Sequence, residues 1–308
     1  MGKVGSIVLA TDQGLGYLAK AFYDNGIIDL VSIRAHSSRE NHYEWYDKHV
    51  STEELLEQCS TLIFFESAFD WKIIVRARER GIKTILIPMY ECTPNPLPYE
   101  PDLIISPSEL DQQFFPNSEY IPIPVDVKWK LRERARVFVH NAGNGGLGGR
   151  NGTRELLLAM QHVKSPIKLI VRSQIPMKQI DDPRIEYRIG HFDDIWSEGD
   201  VFIFPEKFNG LSLPLQEAFA SGMAVMAADR FPMNSWLPKE LLIPVSGYKK
   251  EAIARPFLSA VITPEDIAKT IDMWYDKDIT EYSRLGKVWG AKHSWKNLKK
   301  TYKKICEK

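Results

Sequence analysis

The sequence predicts an α/β protein with two parallel sheets, each layered with helices. Short apolar runs alternate with amphipathic helical stretches along the whole chain. These runs form two sets separated by the crossing IPIPVD at residues 121–126, whose prolines cannot continue a helix. A chain of 308 residues is also long enough for two domains of ordinary size.

The first set consists of six predicted strands with helices between them, such as residues 15–25 and 69–80. The strands are residues 5–10, 30–34, 61–65, 84–88, 103–106 and 120–123. We expect this set to form a first domain over residues 1–125.

The second set restarts the same alternation after the crossing. Its predicted strands are residues 135–140, 167–172, 185–189, 201–204, 224–228 and 242–244. From about residue 264 the chain is helical and basic, and Ser294-Trp295 opens a last helix with an apolar stripe. We expect a second domain over residues 126–289, with a terminal helix over about 290–308.

Composition is typical of a soluble globular protein, with 44% apolar and 26% charged residues. Forty basic and forty acidic residues balance, so no global field recruits nucleic acid or an anionic membrane. Three scattered cysteines do not make a disulfide framework or a zinc site, and no apolar window has the length of a signal peptide or a membrane span. We therefore expect a cytoplasmic protein without a transmembrane segment.

The most informative segment is residues 201–229, VFIFPEKFNGLSLPLQEAFASGMAVMAAD. It predicts a strand, a glycine-containing loop, a helix over residues 213–221, a left-handed C-cap at Gly222 and another strand. The loop Asn209-Gly210-Leu211-Ser212 lets the backbone approach a ligand, and Glu217 lies one turn into the helix. This layout points a helix N-terminus at the mouth of a parallel sheet.

The same segment resembles the donor-site signature of retaining nucleotide-sugar glycosyltransferases of the GT-B fold, the family-four type. Glu217 matches the second acid of that signature, and Asn209 stands where the family has its first acid. Glu206 is too distant from Glu217 to substitute without a rearranged loop. The residues in register are Gly210, Leu213, Pro214, Ala218, Ala220 and Gly222. The resemblance implies two Rossmann-like domains facing one cleft, a C-terminal helix that crosses back to the first domain, and Glu217 on the ribose hydroxyls.

A glycine-rich stretch follows the first strand of the second set. Gly143, Gly145 and Gly148 satisfy G-x-G-x-x-G between a strand and a helix, which is the dinucleotide fingerprint. The next strand ends in Arg172 and Ser173 instead of the acid that the fingerprint requires. An NADP-dependent oxidoreductase, with Arg172 on the 2′-phosphate, is therefore an alternative.

The glycine-rich stretch also resembles the family's turn with Arg-Lys-Gly, of which Arg150-Asn151-Gly152 keeps the arginine and the glycine. Fixed cations stabilise a leaving diphosphate, and Arg150 and Arg172 are the candidates. A solvated loop arginine and a structural ion pair are their respective alternatives. The segment containing His191 and Phe192 resembles the family's turn beside the nucleobase, and a core position is the alternative for Phe192.

Two loops of the first domain supply further candidates. Gly14 and Gly16 open a helix directly after the first strand, where the family places donor phosphates and acceptor, and a tight turn is the alternative. Glu91 follows the fourth strand and is a candidate to accept a proton from the acceptor hydroxyl. Asp12 and Glu66, each just past a strand, compete for that role.

The acids of Asp276-Lys277-Asp278 imitate a metal motif of another glycosyltransferase fold, but their position between helices favours a charged turn. No His/Cys cluster has metal spacing, so we expect metal-independent chemistry.

The expected function is transfer of a sugar from a UDP-sugar or GDP-sugar to an acceptor hydroxyl with retention of configuration and without a cofactor. The acceptor classes left open are a saccharide, a lipid-linked glycan and modified DNA, and the oligomeric state is also open. The chain is short for this fold, as in small bacterial or phage enzymes, and phage relatives glycosylate hydroxymethylated pyrimidines in DNA. A duplex would need a basic cleft, for which the candidates are Arg34, Arg39, Arg76, Arg78, Arg80, Arg132, Arg134 and Arg136. A non-catalytic nucleotide-binding relative is the remaining alternative.

Overall fold

The computed structural model describes residues 2–192 and 194–307, with Leu147 described by its backbone only. Contacts between Cα atoms divide the chain into two compact units. The first comprises Met1–Pro124, Ala252–Pro256 and Trp295–Lys308, and the second comprises Val125–Glu251 and Phe257–Ser294.

The first unit contains a parallel sheet of six strands in the order β2-β1-β3-β4-β5-β6. Its strands are β1 (Lys3–Val8), β2 (Leu30–Ile33), β3 (Cys59–Phe65), β4 (Lys83–Ile87), β5 (Leu103–Ser106) and β6 (Glu119–Tyr120). Its helices are α1 (Gly14–Asp24), α2 (Thr52–Gln58), α3 (Lys72–Glu79) and α4 (Glu109–Phe114), with a short 3-10 helix at Tyr43–Trp45. Ser51 and Glu54 form a capping box that fixes the start of α2.

The last helix of the chain, α10 (Trp295–Glu307), belongs to the first unit. Its buried Trp295 and Tyr302 pack edge-on against Phe22 of α1, at ring distances of 5.1 and 4.9 Å. At its C-terminus, Thr61 Oγ1 donates to the carbonyl of Cys306 at 2.8 Å, and Lys83 Nζ donates to that of Ile305 at 2.6 Å. Carbonyls that the helix itself leaves without partners are thereby satisfied.

The second unit contains a parallel sheet of five strands in the order β11-β10-β7-β8-β9. Its strands are β7 (Val137–Gly143), β8 (Lys168–Ser173), β9 (Ile185–Ile189), β10 (Val201–Phe204) and β11 (Ala224–Ala227). Its helices are α5 (Thr153–Ala159), α6 (Leu213–Ala220), α7 (Met233–Trp236), α8 (Pro264–Trp274) and α9 (Thr280–Lys292), with 3-10 helices at Leu147–Gly149 and Lys239–Leu241. Apolar side chains fill both faces of this sheet, as expected for parallel strands covered on two sides.

Two further strands, β12 (Gly247–Ala252) and β13 (Pro256–Val261), pair with each other outside both large sheets. The sequence patterns did not predict them. The residues between them are grouped with the first unit, where Arg255 Nε donates to the carbonyl of Thr93 at 3.2 Å.

The predicted α/β fold with two Rossmann-like parallel sheets is confirmed. The strand predicted at residues 242–244 is wrong, because Ile243 forms only an isolated parallel bridge with Ala228. The helix predicted from residue 69 begins at Lys72, since Phe69 has a left-handed backbone with φ 58°. Within the described part of the chain, no helix combines the length and the apolarity that crossing a bilayer requires.

Candidate functional site

The sheet order of the second unit indicates a ligand site at the carboxyl ends of its strands. Because all five strands are parallel, the loops that follow them meet at their carboxyl ends. The chain runs from β7 outward through β8 to β9 and then returns to the other side of β7 with β10. In open α/β sheets ligands bind where the strand order reverses, which here lies between β7 and β10.

The loop after β10 is held by a buried polar cluster, Glu206, Asn209 and Arg230, which we call the loop network. Arg230 Nη2 lies 3.3 Å from Glu206 Oε2, and its Nη1 donates to the carbonyl of Asn209 at 3.0 Å. Asn209 Nδ2 donates to Glu206 Oε1 at 2.8 Å. All three side chains are at most 4% exposed. Sequence reasoning missed Arg230, which stands in no motif.

Asn209 also organises the backbone of its own loop. Its Oδ1 accepts hydrogen bonds from the amides of Leu211 and Ser212, at 3.0 and 3.1 Å. Ser212 then adopts φ 45° and ψ 65°, a left-handed conformation that costs energy for a residue with a Cβ. The side chain of Asn209 is therefore turned into the loop, and two of the amides predicted to approach a ligand are already bonded to it. Gly210 and Leu213 flank this bonded stretch, and Leu213 begins α6.

Glu217 lies on α6, one turn beyond the loop, and is partly buried. Burial raises the pKa of Glu217 to about 7, against a smaller lowering by a hydrogen bond with the Trp196 side chain. A carboxyl group with this pKa both donates and accepts hydrogen bonds near neutral pH. It is therefore suited to a pair of neighbouring hydroxyls.

The glycine-rich stretch after β7 lies against the same loop. Gly152 has φ 69°, and a Cβ there would meet the carbonyl oxygen of Pro205 at 2.2 Å, so this glycine permits a close approach of the two backbones. The amide of Lys207 donates to the carbonyl of Arg150 at 2.8 Å. The structure thus brings Arg150, which is partly buried, beside the Asn209 loop.

The same stretch contains several glycines with left-handed backbone. Positive φ angles occur at Gly143, Gly145, Gly146, Gly148 and Gly149. Turns that alternate right- and left-handed residues can point successive N–H groups at an anion, but here the amides of Gly145 and Gly149 already donate to the carbonyls of Ala142 and Gly146, at 3.0 and 3.4 Å.

Arg172 is not a mobile cation. Its side chain is 5% exposed, its Nη1 donates to the carbonyl of Ile195, and its Nη2 lies 3.7 Å from Glu198 Oε2. Burial lowers the pKa of Arg172, while Glu198 raises it. Of the two roles left open, the structure favours the structural ion pair, so the NADP interpretation lacks its 2′-phosphate ligand.

His191 and Phe192 follow β9 at the same edge of the sheet. Both are exposed, Phe192 by 37%, so the core position considered for Phe192 is wrong. Gly190, with φ 133°, precedes them, and its amide donates to the carbonyl of Ser173 at 2.9 Å. The next residue, Asp193, lies outside the described residues.

In the first unit, the strand order reverses between β1 and β3, because β2 lies on one side of β1 and β3 on the other. Asp12 follows β1. Asp12 Oδ2 lies 3.2 Å from His42 Nε2, and Asp12 Oδ1 accepts from the hydroxyl of Tyr17 at 3.3 Å. His42 was missed because it lies in an irregular stretch after β2, where no periodic pattern marks it.

The two glycines predicted in the loop after β1 differ in their surroundings. A Cβ at Gly16 would meet the carbonyl oxygen of Thr11 at 2.1 Å, whereas one at Gly14 would meet nothing within 4 Å. Gly16 is thus required by a tight turn.

Glu91 is fully buried in the first unit, with 0% exposure. Its backbone carbonyl accepts a hydrogen bond from the amide of Ala254 at 3.2 Å. Burial lowers the pKa of Arg255, and the charges of Asp111 and Glu91 raise it by less. Asp111 is buried in the same region, and desolvation raises its pKa to about 7. The side chain of Glu91 is thus enclosed in this structure, and its role as a proton acceptor stays a prediction.

Among the described residues, no group of three or more His, Cys, Asp or Glu side chains could hold a metal ion. Asp276 of the Asp-Lys-Asp segment lies in a turn and pairs with Arg136 at 2.7 Å and Arg134 at 3.3 Å. The segment is therefore a charged turn.

No protein-family model and no curated protein matches this chain. Its fold is similar to solved structures at low identity. HepE of Anabaena in complex with UDP-glucose superposes with a TM-score of 0.70 at 10% identity, over 100% of both chains. Sucrose-phosphate synthase of Thermosynechococcus elongatus gives 0.63 at 12% identity over 99% of both chains. The lipopolysaccharide outer core galactosyltransferase WaaB gives 0.61 at 10% identity, over 96% of this chain and 98% of its own. These likenesses establish the GT-B fold class.

Proposed function

We propose that this protein is a glycosyltransferase that takes a sugar from a nucleoside-diphosphate sugar and transfers it to an acceptor hydroxyl. The observation that carries the proposal is the meeting of three features at the reversal point between β7 and β10. These are the glycine-rich stretch, the Asn209 loop and Glu217 on the helix that this loop opens.

Each feature suits one part of the donor. Glu217 binds the ribose hydroxyls, while Arg150 and the amides of the glycine-rich stretch hold the diphosphate as negative charge develops on it. His191 and Phe192 flank the base. Asn209 acts by fixing the loop conformation through the loop network. UDP is the favoured nucleotide, since HepE has the same fold and is described with UDP-glucose.

Retention of configuration completes the proposal on the strength of the resemblance in residues 201–229. Independence from metal ions is added because the sequence has no His/Cys cluster with metal spacing. Asp12 is the favoured residue to orient the acceptor hydroxyl, because Glu91 is fully buried and Asp12 is not.

The DNA-modifying alternative is less well supported. The candidate arginines already have partners within the chain. Arg132 is 3% exposed and bonds four carbonyls, Arg134 and Arg136 pair with Asp276, Arg76 and Arg80 pair with Glu53, Arg78 bonds the carbonyl of Glu100 and Arg34 lies over Phe69. The candidate basic surface is thus largely committed to contacts within the chain.

The test is a thermal-shift comparison of UDP, GDP, UDP-glucose and NADP, followed by a UDP-release assay. A ligand that binds only the folded state raises the unfolding temperature. We expect a shift with UDP and UDP-glucose that is lost in Glu217→Ala and retained in Glu281→Ala, a control that removes an exposed acid from α9 of the same unit. A shift with NADP alone, or an equal UDP shift in both variants, would overturn the proposal.

A further inference from the structure

A group of aromatic side chains lies beside Asp12 in the first unit, and the proposed donor site does not use it. It consists of Tyr17, His42 and Trp45, which we call the aromatic cluster together with Asp12. Tyr17 begins the second turn of α1, and Trp45 ends the 3-10 helix after β2. Both elements follow the carboxyl ends of neighbouring parallel strands, where α/β proteins bind ligands.

The rings of the cluster are ordered by mutual contact. The ring centroids of His42 and Trp45 are 4.7 Å apart, with an interplanar angle of 9°. Trp45 lies 5.3 Å from Tyr17 at an angle of 34°. Trp45 is thus held between two rings, and it supports Tyr17 from one side.

Polar groups border these rings. The two nitrogens of His42 face Asp12 Oδ2 at 3.2 Å and Glu44 Oε1 at 3.0 Å. The hydroxyl of Tyr17 donates to the other oxygen of Asp12 at 3.3 Å. The carboxylate of Asp12 is therefore fixed in orientation while its side chain keeps 22% of its exposure.

Tyr17 keeps 49% of its surface exposed, unlike the ring of Phe22 on the same helix, which is fully buried. A half-exposed aromatic ring beside oriented hydrogen-bond acceptors matches a sugar ring, which offers C–H groups on one face and hydroxyls at its rim. Asp12 and Glu44 also place negative charge there, which repels the phosphates of a nucleic acid. The chemistry fits a neutral polyhydroxylated ligand.

We propose that the aromatic cluster binds a sugar ring of a saccharide acceptor, with Tyr17 as the stacking surface and Asp12 on a ring hydroxyl. Trp45 and His42 are positioning residues that hold Tyr17 and Asp12 in place. This inference rests on the proposed glycosyltransferase function and names the acceptor class for it.

The test measures saccharide binding and donor binding separately on the full chain. Saturation-transfer NMR with methyl hexopyranosides and short oligosaccharides reports on the first, and the UDP thermal shift reports on the second. The variant is Tyr17→Ala, and its control is Tyr120→Ala, which removes a tyrosine of similar exposure, 45%, from the edge strand β6 of the same unit.

We expect saturation transfer to saccharide protons in the wild type and in Tyr120→Ala, and about fivefold weaker binding in Tyr17→Ala, which corresponds to about 1 kcal/mol for the lost ring contact. Tyr17→Phe keeps the ring and should restore most of that binding. The UDP shift should be the same in all four proteins.

Three outcomes would overturn the inference: no saccharide binding by the wild type, equal binding by Tyr17→Ala, or binding of 5-hydroxymethyldeoxycytidine in place of saccharides. Saccharide binding that depends on Tyr17 without any UDP shift would keep the subsite and reject the donor proposal. A UDP shift without saccharide binding would reject the subsite and keep the donor proposal.

Discussion

The loop network of the second unit and the aromatic cluster of the first both follow the carboxyl ends of parallel strands, but their polar groups differ in burial. Glu206, Asn209 and Arg230 are almost fully buried and bond to one another and to the loop backbone. Asp12 and Tyr17 of the aromatic cluster remain partly open to solvent. A closed polar network fixes a backbone, whereas a half-open one leaves hydrogen-bonding capacity for a ligand.

The largest expected effect comes from breaking the closed network. Arg230→Ala leaves the carboxylate of Glu206 buried without its cation, and we expect a loss of about 3–5 kcal/mol in the free energy of unfolding. Urea unfolding of the full chain measures it. Arg134→Ala is the control, because it breaks an exposed pair with Asp276 and should cost less than about 1 kcal/mol.

The double variant Arg230→Ala with Glu206→Gln sharpens this prediction. Removing the stranded charge should recover part of the loss, because the penalty arises from an unpaired ion and not from missing contacts alone. Additive losses would mean that the ion pair does not organise the loop.

Glu217, on the helix that follows the loop network, is expected to make stability depend on pH. Its pKa in the folded chain, about 7, lies above the ordinary value of a glutamate, so its protonated form favours folding. The stabilisation from protonated Glu217 is fully present below about pH 4 and is lost as pH rises through about 7, which lowers the free energy of unfolding by roughly 1–3 kcal/mol. Glu217→Gln should remove this loss and be more stable than the wild type at pH 8.

Unfolding temperatures of the wild type and Glu217→Gln across this pH range provide the measurement. Parallel curves would show that Glu217 is not desolvated as its position implies. Glu281→Ala, which removes an exposed acid, should leave the pH dependence of the wild type intact.

Substitutions at Gly14 and Gly16 test how the loop after β1, which carries Asp12 of the aromatic cluster, is fixed. Gly16→Ala places a Cβ against the carbonyl oxygen of Thr11 and should cost about 1–3 kcal/mol. Gly14→Ala meets nothing within 4 Å and should be neutral or slightly stabilising. Thermal unfolding of the two variants measures these costs, and equal costs would contradict the tight turn inferred at Gly16.

The smallest expected effect concerns His42. Burial lowers its pKa, but hydrogen bonds with Glu44 and Asp12 outweigh that, and the net direction is upward. The stability that the protonated ring contributes is therefore present below about pH 6.5 and lost as pH rises through the raised pKa. His42→Ala should cost more at pH 6 than at pH 9, by less than about 1 kcal/mol.

Unfolding temperatures at the two pH values measure this difference. His49→Ala serves as a control for ring removal, because the His49 ring contacts the carbonyl of Tyr46 and not a carboxylate. A His42→Ala loss that is independent of pH would assign the effect to stacking on Trp45 alone.

Much of the architecture could be predicted from the sequence. Alternating apolar runs identified the parallel strands of both sheets, and Gly222 marked the end of α6, where its φ is 93°. The strand β12 escaped prediction because its residues are largely exposed and charged, so no apolar pattern distinguishes it from a loop. The strand β13, PFLSAV, is apolar with three buried positions, but it is short and begins at a proline, and it was missed. The strand predicted at residues 242–244 failed for the opposite reason, since a buried apolar run does not by itself define a ladder.

The sequence alone determined which segments carry glycines, acids and arginines after strand ends, because those patterns are local. Only the tertiary structure decided what each side chain does there. Arg172 and Glu91 had the expected positions but became buried, whereas Arg230 and His42 gained partners far away in the chain. Burial and pairing depend on contacts between residues distant in sequence, and it is these contacts that set the charge and accessibility of a functional group.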